Sequence, residues 1–113
     1  MLPRSKRVTT ELFKKITERG FSVHTPVFSM RFLSETTLCP SRFSVVVPKK
    51  VLKSAVKRNN LKRRVSAVLR KVYPSLKDSF IGVIYAKNAT VTLPYKELLS
   101  GTEELFKRAH IIK

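Results

Sequence analysis

Five cations fall within eight residues at Lys57, Arg58, Lys62, Arg63 and Arg64, interrupted only by Asn59, Asn60 and Leu61. Residues of these types recognise phosphate. The planar arginine fork donates two parallel hydrogen bonds to one anion, and asparagine donates to a phosphate or a 2′-hydroxyl while also accepting. On a helix Arg58 and Lys62 stand four apart, as do Asn59 and Arg63, so each pair makes a ridge about one turn long. Asparagine is a poor interior helix residue, so two of them inside a cationic ridge point to contacts with a ligand. Upstream, Lys49, Lys50 and Lys53 prolong the basic run. No acid stands between Glu35 and Asp78, whereas twelve Lys and Arg do. A single basic residue is explained by solvation, but a ridge with no acid to pair with is a surface for a polyanion.

Bond-breaking chemistry is poorly provided for. His24 and His110 are far apart in sequence and have no nearby acid, so they read as surface or packing residues. Glu103 and Glu104 are adjacent on one predicted helix and do not face each other. There is no GxSxG, P-loop or HExxH pattern. Three glycines build no phosphate-cradling loop. Cys39, His24 and His110 have no metal-ligand spacing. The expectation is no catalytic set and no metal or other cofactor on the chain itself. Among the aromatics most must fill a core. Phe13, surrounded by Lys14, Lys15 and Arg19, is the best candidate to stack a base of single-stranded RNA. Arg31, in the middle of an otherwise apolar strand, suggests an open sheet face turned to a ligand.

The elements that must hold these residues follow from periodicity. A first helix is expected over about Glu11 to Arg19, capped by Thr9 or Thr10 and ended at Gly20. Strands are expected over Val27 to Leu33 and Arg42 to Val47, with a loop from Ser34 to Ser41. The period turns helical from Ser54 to about Val72, with Leu61, Val65, Val68, Leu69 and Val72 in one stripe, and Pro74 stops it. Phe80 to Ala86 is a nearly continuous apolar run, as in a central strand covered on both faces. Asn88 to Leu93 adds a short strand or a loop. A last helix runs from Tyr95 to Ala109, with Pro94 at its start. The chain of 113 residues is one α+β domain, 1-113, with a small mixed sheet against helices.

The 24 Lys and Arg against 7 Asp and Glu give a net charge of +17. That charge opposes compaction until a polyanion neutralises it, and for a compact basic domain the expected polyanion is nucleic acid. Mean hydropathy is −0.12, and no apolar run is long enough to cross a membrane, so no membrane partner is expected. The basic start, Leu2 to Arg7, is followed by no apolar stretch of a secretory signal. One cysteine, Cys39, cannot form an internal disulfide and fits a reducing compartment, hence a cytoplasmic location.

The stretch Lys49-Lys50-Val51-Leu52-Lys53-Ser54-Ala55-Val56-Lys57-Arg58-Asn59-Asn60-Leu61-Lys62-Arg63 resembles the signature of the bacterial ribonuclease P protein component. Arg4-Ser5-Lys6-Arg7 with Glu11-Leu12-Phe13 looks like the opening of that family. Phe43 to Val47 followed by Pro48-Lys49-Lys50 looks like its strand feeding the basic helix, and Leu105-Phe106-Lys107-Arg108 like its final helix. Two residues depart from the pattern: Asn60 stands where the family has a second arginine, and Thr17 stands where relatives carry another aromatic.

The resemblance implies an αββαββα order with a left-handed βαβ crossover around the basic helix, against the general right-handed rule. It implies a protein subunit that assists a catalytic RNA in removing the 5′ leader of precursor tRNA. On that reading the endonucleolytic hydrolysis and its Mg2+ belong to the RNA, the protein alone is inactive, and protein and RNA pair one to one. Arg58, Asn59, Lys62 and Arg63 then meet the RNA subunit, with Lys49, Lys50, Lys53, Lys57, Asn60 and Arg64 beside them. Phe13, Lys14 and Arg31 meet the leader. The rival readings are a general or ribosomal RNA-binding protein, a self-sufficient nuclease, which would need a carboxylate cluster or histidine pair, and a DNA-binding helix.

Overall fold

The computed structural model describes residues 8–34, 41–77 and 80–111. Its elements are α1 (Thr10–Arg19), β1 (Phe21–His24), β2 (Phe28–Ser34), β3 (Arg42–Val46), α2 (Ala55–Val72), β4 (Phe80–Ala86) and α3 (Tyr95–Arg108). The basic opening Arg4 to Arg7, Cys39 and most of the expected Ser34 to Ser41 loop lie outside the described residues.

One mixed four-stranded sheet has the order β1-β2-β4-β3. β1, β2 and β4 are antiparallel neighbours, and β3 lies parallel to β4 with α2 connecting them. The pleat divides the residues between two faces. On one face Phe28, Met30, Phe43, Val45, Ile84 and Ala86 join Leu61, Val65, Val68, Leu69 and Val72 of α2 and Leu98, Leu105 and Phe106 of α3 in the main core. Phe43 and Phe106 meet edge to face at a centroid distance of 5.2 Å, a geometry that contributes about 0.5–1.5 kcal/mol beyond area burial. Gly82 lets the Phe43 ring lie close to the strand, because a Cβ there would stand 3.0 Å from the ring and the ring would have to shift. On the opposite face Ile81 and Val83 bury against Ile16 of α1, with Val8, Leu12, Leu33, Val46 and Tyr85 around them. The run Phe80 to Ala86 is therefore the central strand covered on both faces, as its unbroken apolarity predicts.

The order of strands corrects the expected αββαββα. The extra strand comes before the pair 28–34 and 42–46, giving αβββαβα. β1 has four residues and an exposed burial pattern, too short for its own periodicity to show; pairing with β2 defines it. The turn joining the two strands is closed by Thr25, whose N–H donates to Phe28 O at 2.8 Å and whose Oγ1 accepts from Phe28 N at 3.0 Å. Residues Asn88–Thr92 are a 3₁₀ helix. Thr90 donates to Lys87 O through its N–H at 3.0 Å and through Oγ1 at 2.7 Å, so local side-chain bonding wins over a ladder.

Candidate RNA-binding surfaces

α2 begins where the Ser54 side chain accepts from the Lys57 N–H at 3.3 Å, a good N-cap. It continues for 18 residues because its apolar stripe is buried on the sheet. Its first turn carries no acid, and cations there add to the positive end of the helix macrodipole. The outward face exposes Asn59, Asn60, Arg63 and Arg64, while Arg58 and Lys62 are half-buried beside the stripe. Val56 stands among them at 69% exposure. The side chains of Lys57, Asn59, Asn60, Lys62 and Arg63 make no hydrogen bond or ion pair with another described residue. Two arginines differ. Arg58 donates from Nη1 to Leu52 O at 3.0 Å and to Lys53 O at 2.8 Å, and Arg64 donates from Nη2 to Leu93 O. Lys49, Lys50 and Lys53 are exposed on the segment entering the helix. The ridge read from the sequence is thus two features: the donors of Lys57, Asn59, Asn60, Lys62 and Arg63, which no described residue engages, and the arginines Arg58 and Arg64, which are anchored to neighbouring backbone.

A second surface lies on the α1 side of the sheet. A groove of about 660 Å³ is lined by His24, Pro26, Ser29, Pro48, Lys50, Val51, Tyr85, Ala86, Lys87, Asn88 and Ala89. Its rim is tied together by Lys87, which donates from Nζ to Thr25 O at 2.7 Å and from its N–H to Val27 O at 3.1 Å. Tyr85 belongs both to the groove and to the cluster packed under α1, so helix and groove flank one continuous strip of sheet. The groove combines an aromatic, two lysines and small polar side chains, a set suited to a single-stranded nucleic acid.

The expected leader residues are distributed differently. Phe13 is 39% exposed on α1 and Lys14 is exposed beside it, but neither lines the groove, and nor does Arg31. The sheet face at Arg31 is not open. Its guanidinium donates to Thr17 O at 3.1 Å, Gly20 O at 3.2 Å and Ile16 O at 3.3 Å, and to Ser22 Oγ at 3.3 Å. These carbonyls are the negative end of α1, which a cation stabilises. Arg31 therefore fastens the helix to the sheet. Gly20 permits the close approach, because a Cβ there would lie 2.3 Å from Ile16 O. Thr17 is exposed and donates to Lys14 O at 2.9 Å. The sequence reading missed Ser29, Tyr85, Lys87 and Asn88. Ser29 and Tyr85 are cross-strand partners on one face, and a signal for that was present in the tyrosine within an aliphatic run, since its hydroxyl favours a wet edge. Among the described residues no group of three or more His, Cys, Asp or Glu is placed to hold a metal ion.

The ribonuclease P family profile matches residues 2–110. The ribonuclease P protein component of Microcystis aeruginosa is 37% identical over 73 residues, 65% of this chain and 61% of that protein. That of Synechococcus elongatus is 32% identical over an alignment spanning 98% of this chain and 95% of its own. Among solved structures, the ribonuclease P protein of Staphylococcus aureus superimposes with a TM-score of 0.81 at 22% identity, covering 96% of this chain and 98% of that one. That likeness extends the agreement to the fold, an α+β arrangement of three helices and a four-stranded mixed sheet.

Proposed function

Because the chain belongs to the ribonuclease P protein family, we propose that it is the protein subunit of a ribonuclease P ribonucleoprotein. It assists endonucleolytic removal of the 5′ leader from precursor tRNA, leaving the mature 5′ end. The observation that carries this reading is the face of α2 on which the side chains of Lys57, Asn59, Asn60, Lys62 and Arg63 have no partner among the described residues, on a helix that has no acid in its first turn. Lys57, Asn59, Asn60, Lys62 and Arg63 contact the catalytic RNA, with Lys49, Lys53, Arg58 and Arg64 at the margins. Asn60 gives a hydrogen bond where the family pattern has a charge, and Arg64 supplies the neighbouring cation. The leader crosses the sheet strip between α1, with Phe13 and Lys14, and the groove at Tyr85, Lys50 and Lys87. Arg31 acts on the leader only by holding α1. Phosphodiester hydrolysis and its Mg2+ belong to the RNA, and the protein binds, orients and screens phosphate charge. The assembly is one protein to one RNA, cytoplasmic and without a membrane partner.

The test is cleavage of a precursor tRNA at low magnesium by a bacterial ribonuclease P RNA, with the RNA alone, the protein alone and both together. Cleavage that requires the combination is the expected result. Cleavage by the protein alone would show a nuclease in its own right. No stimulation, with equally tight binding to unrelated RNAs, would show a general RNA-binding protein.

A further inference from the structure

We propose that Arg58 is a positioning residue that couples the two RNA-binding surfaces by fixing the turn between β3 and α2. The inference rests on the reading above. The residues after β3 fold into a turn in which the Val51 and Leu52 N–H groups donate to Pro48 O at 3.0 and 3.3 Å. Pro48, Lys50 and Val51 of that turn form one wall of the groove. The next carbonyls, of Leu52 and Lys53, both accept from Nη1 of Arg58, which is rooted on α2 one turn after Ser54. The guanidinium therefore bolts the groove wall to the helix.

A guanidinium has five N–H donors in a fixed plane. Nη1 faces the two carbonyls, which leaves the other edge of the fork for an RNA phosphate arriving at α2. A phosphate bound there holds the fork in the plane that also grips the turn. Docking of the RNA subunit on α2 thus orders Lys50 for the leader. A lysine at this position keeps the charge but cannot hold two carbonyls and a phosphate in one rigid geometry.

The experiment uses the assembled ribonucleoprotein at saturating protein, with precursors carrying a long or a single-nucleotide leader. Arg58→Ala and Lys50→Ala are each expected to weaken long-leader binding about tenfold, with short-leader binding unchanged and the double variant no worse than the weaker single one. Arg58→Lys is expected to recover affinity for the RNA subunit but not the leader-length discrimination, and it carries the test if Arg58→Ala does not fold. In the free protein, amide exchange at Val51 and Leu52 is expected to accelerate in both Arg58 variants. Multiplying effects in the double variant, full recovery of discrimination by lysine, or unchanged amide exchange would overturn the proposal. Loss of leader-length dependence in the unsubstituted assembly would instead sink the functional reading on which it stands.

Discussion

The outward face of α2 and the groove on the α1 side of the sheet are both basic, but they are built in opposite ways. The α2 face is convex and comes from one continuous stretch, Lys57 to Arg64. Its shape is secured by a helix whose other side lies in a core of many buried residues. The groove is concave and gathers the β1–β2 turn, the turn at Pro48, the end of β4 and the segment at Lys87. The neighbouring helix α1, which does not line the groove, rests on a small cluster whose fully buried members among the described residues are Ile16, Ile81 and Val83. A surface carried on a well-packed helix tolerates change in its side chains without losing its frame. A surface assembled from turns and strand ends beside a lightly packed helix depends on the bonds that hold those pieces.

That contrast is open to direct attack. The largest effect is expected from replacing Lys57, Lys62 and Arg63 together by alanine. RNA-subunit affinity should fall about a hundredfold, and the salt slope of binding should shrink by about one unit per cation, while thermal stability is preserved. A large fall in melting temperature would mean that these side chains hold the fold. Arg31→Ala should act in the opposite manner, weakening the docking of α1 by about 2 kcal/mol through the loss of charge-assisted bonds to its last carbonyls. Hydrogen exchange should rise in α1 with little change in α2, and binding of long-leader precursors should fall while RNA-subunit affinity holds. Tyr85→Ala is next, with about a tenfold loss of precursor affinity that disappears when the leader is shortened; a loss independent of leader length would remove Tyr85 from that surface. The smallest effect concerns the frame. His110 has φ 58° and closes α3, its N–H on Lys107 O at 3.1 Å, followed by Ile111 N–H on Phe106 O at 3.0 Å. Glycine belongs in such a cap, so His110→Gly should stabilise the protein by about 1 kcal/mol in chemical denaturation without changing RNA binding.

What could be read from the chain follows the same division. The helices, the central strand and the cationic stretch are local patterns of period and charge, and they appear where periodicity places them. Ser54 caps α2, Thr9 caps α1 and Gly20 ends it. Buried polar contacts were invisible, for example Ser41, which donates to Lys77 O at 2.6 Å and accepts from Phe80 N at 3.0 Å. Those partners lie more than thirty residues away, and nothing in a serine's neighbours announces them. β1 was missed for a related reason, since four residues carry too little pattern and only the partner strand makes them a strand.

The sequence alone determined that this is a cationic α+β chain with a helix of unbalanced positive charge, because charge and apolar spacing are set residue by residue. Tertiary structure alone decided which of the cations the fold itself engages. A guanidinium can grip a carbonyl as readily as a phosphate, so whether Arg31, Arg58 and Arg64 face RNA or backbone depends on which carbonyls the fold brings within about 3 Å. It brought the end of α1 to Arg31, the turn before α2 to Arg58 and Leu93 to Arg64, and it gave the side chains of Lys57, Lys62 and Arg63 no partner among the described residues.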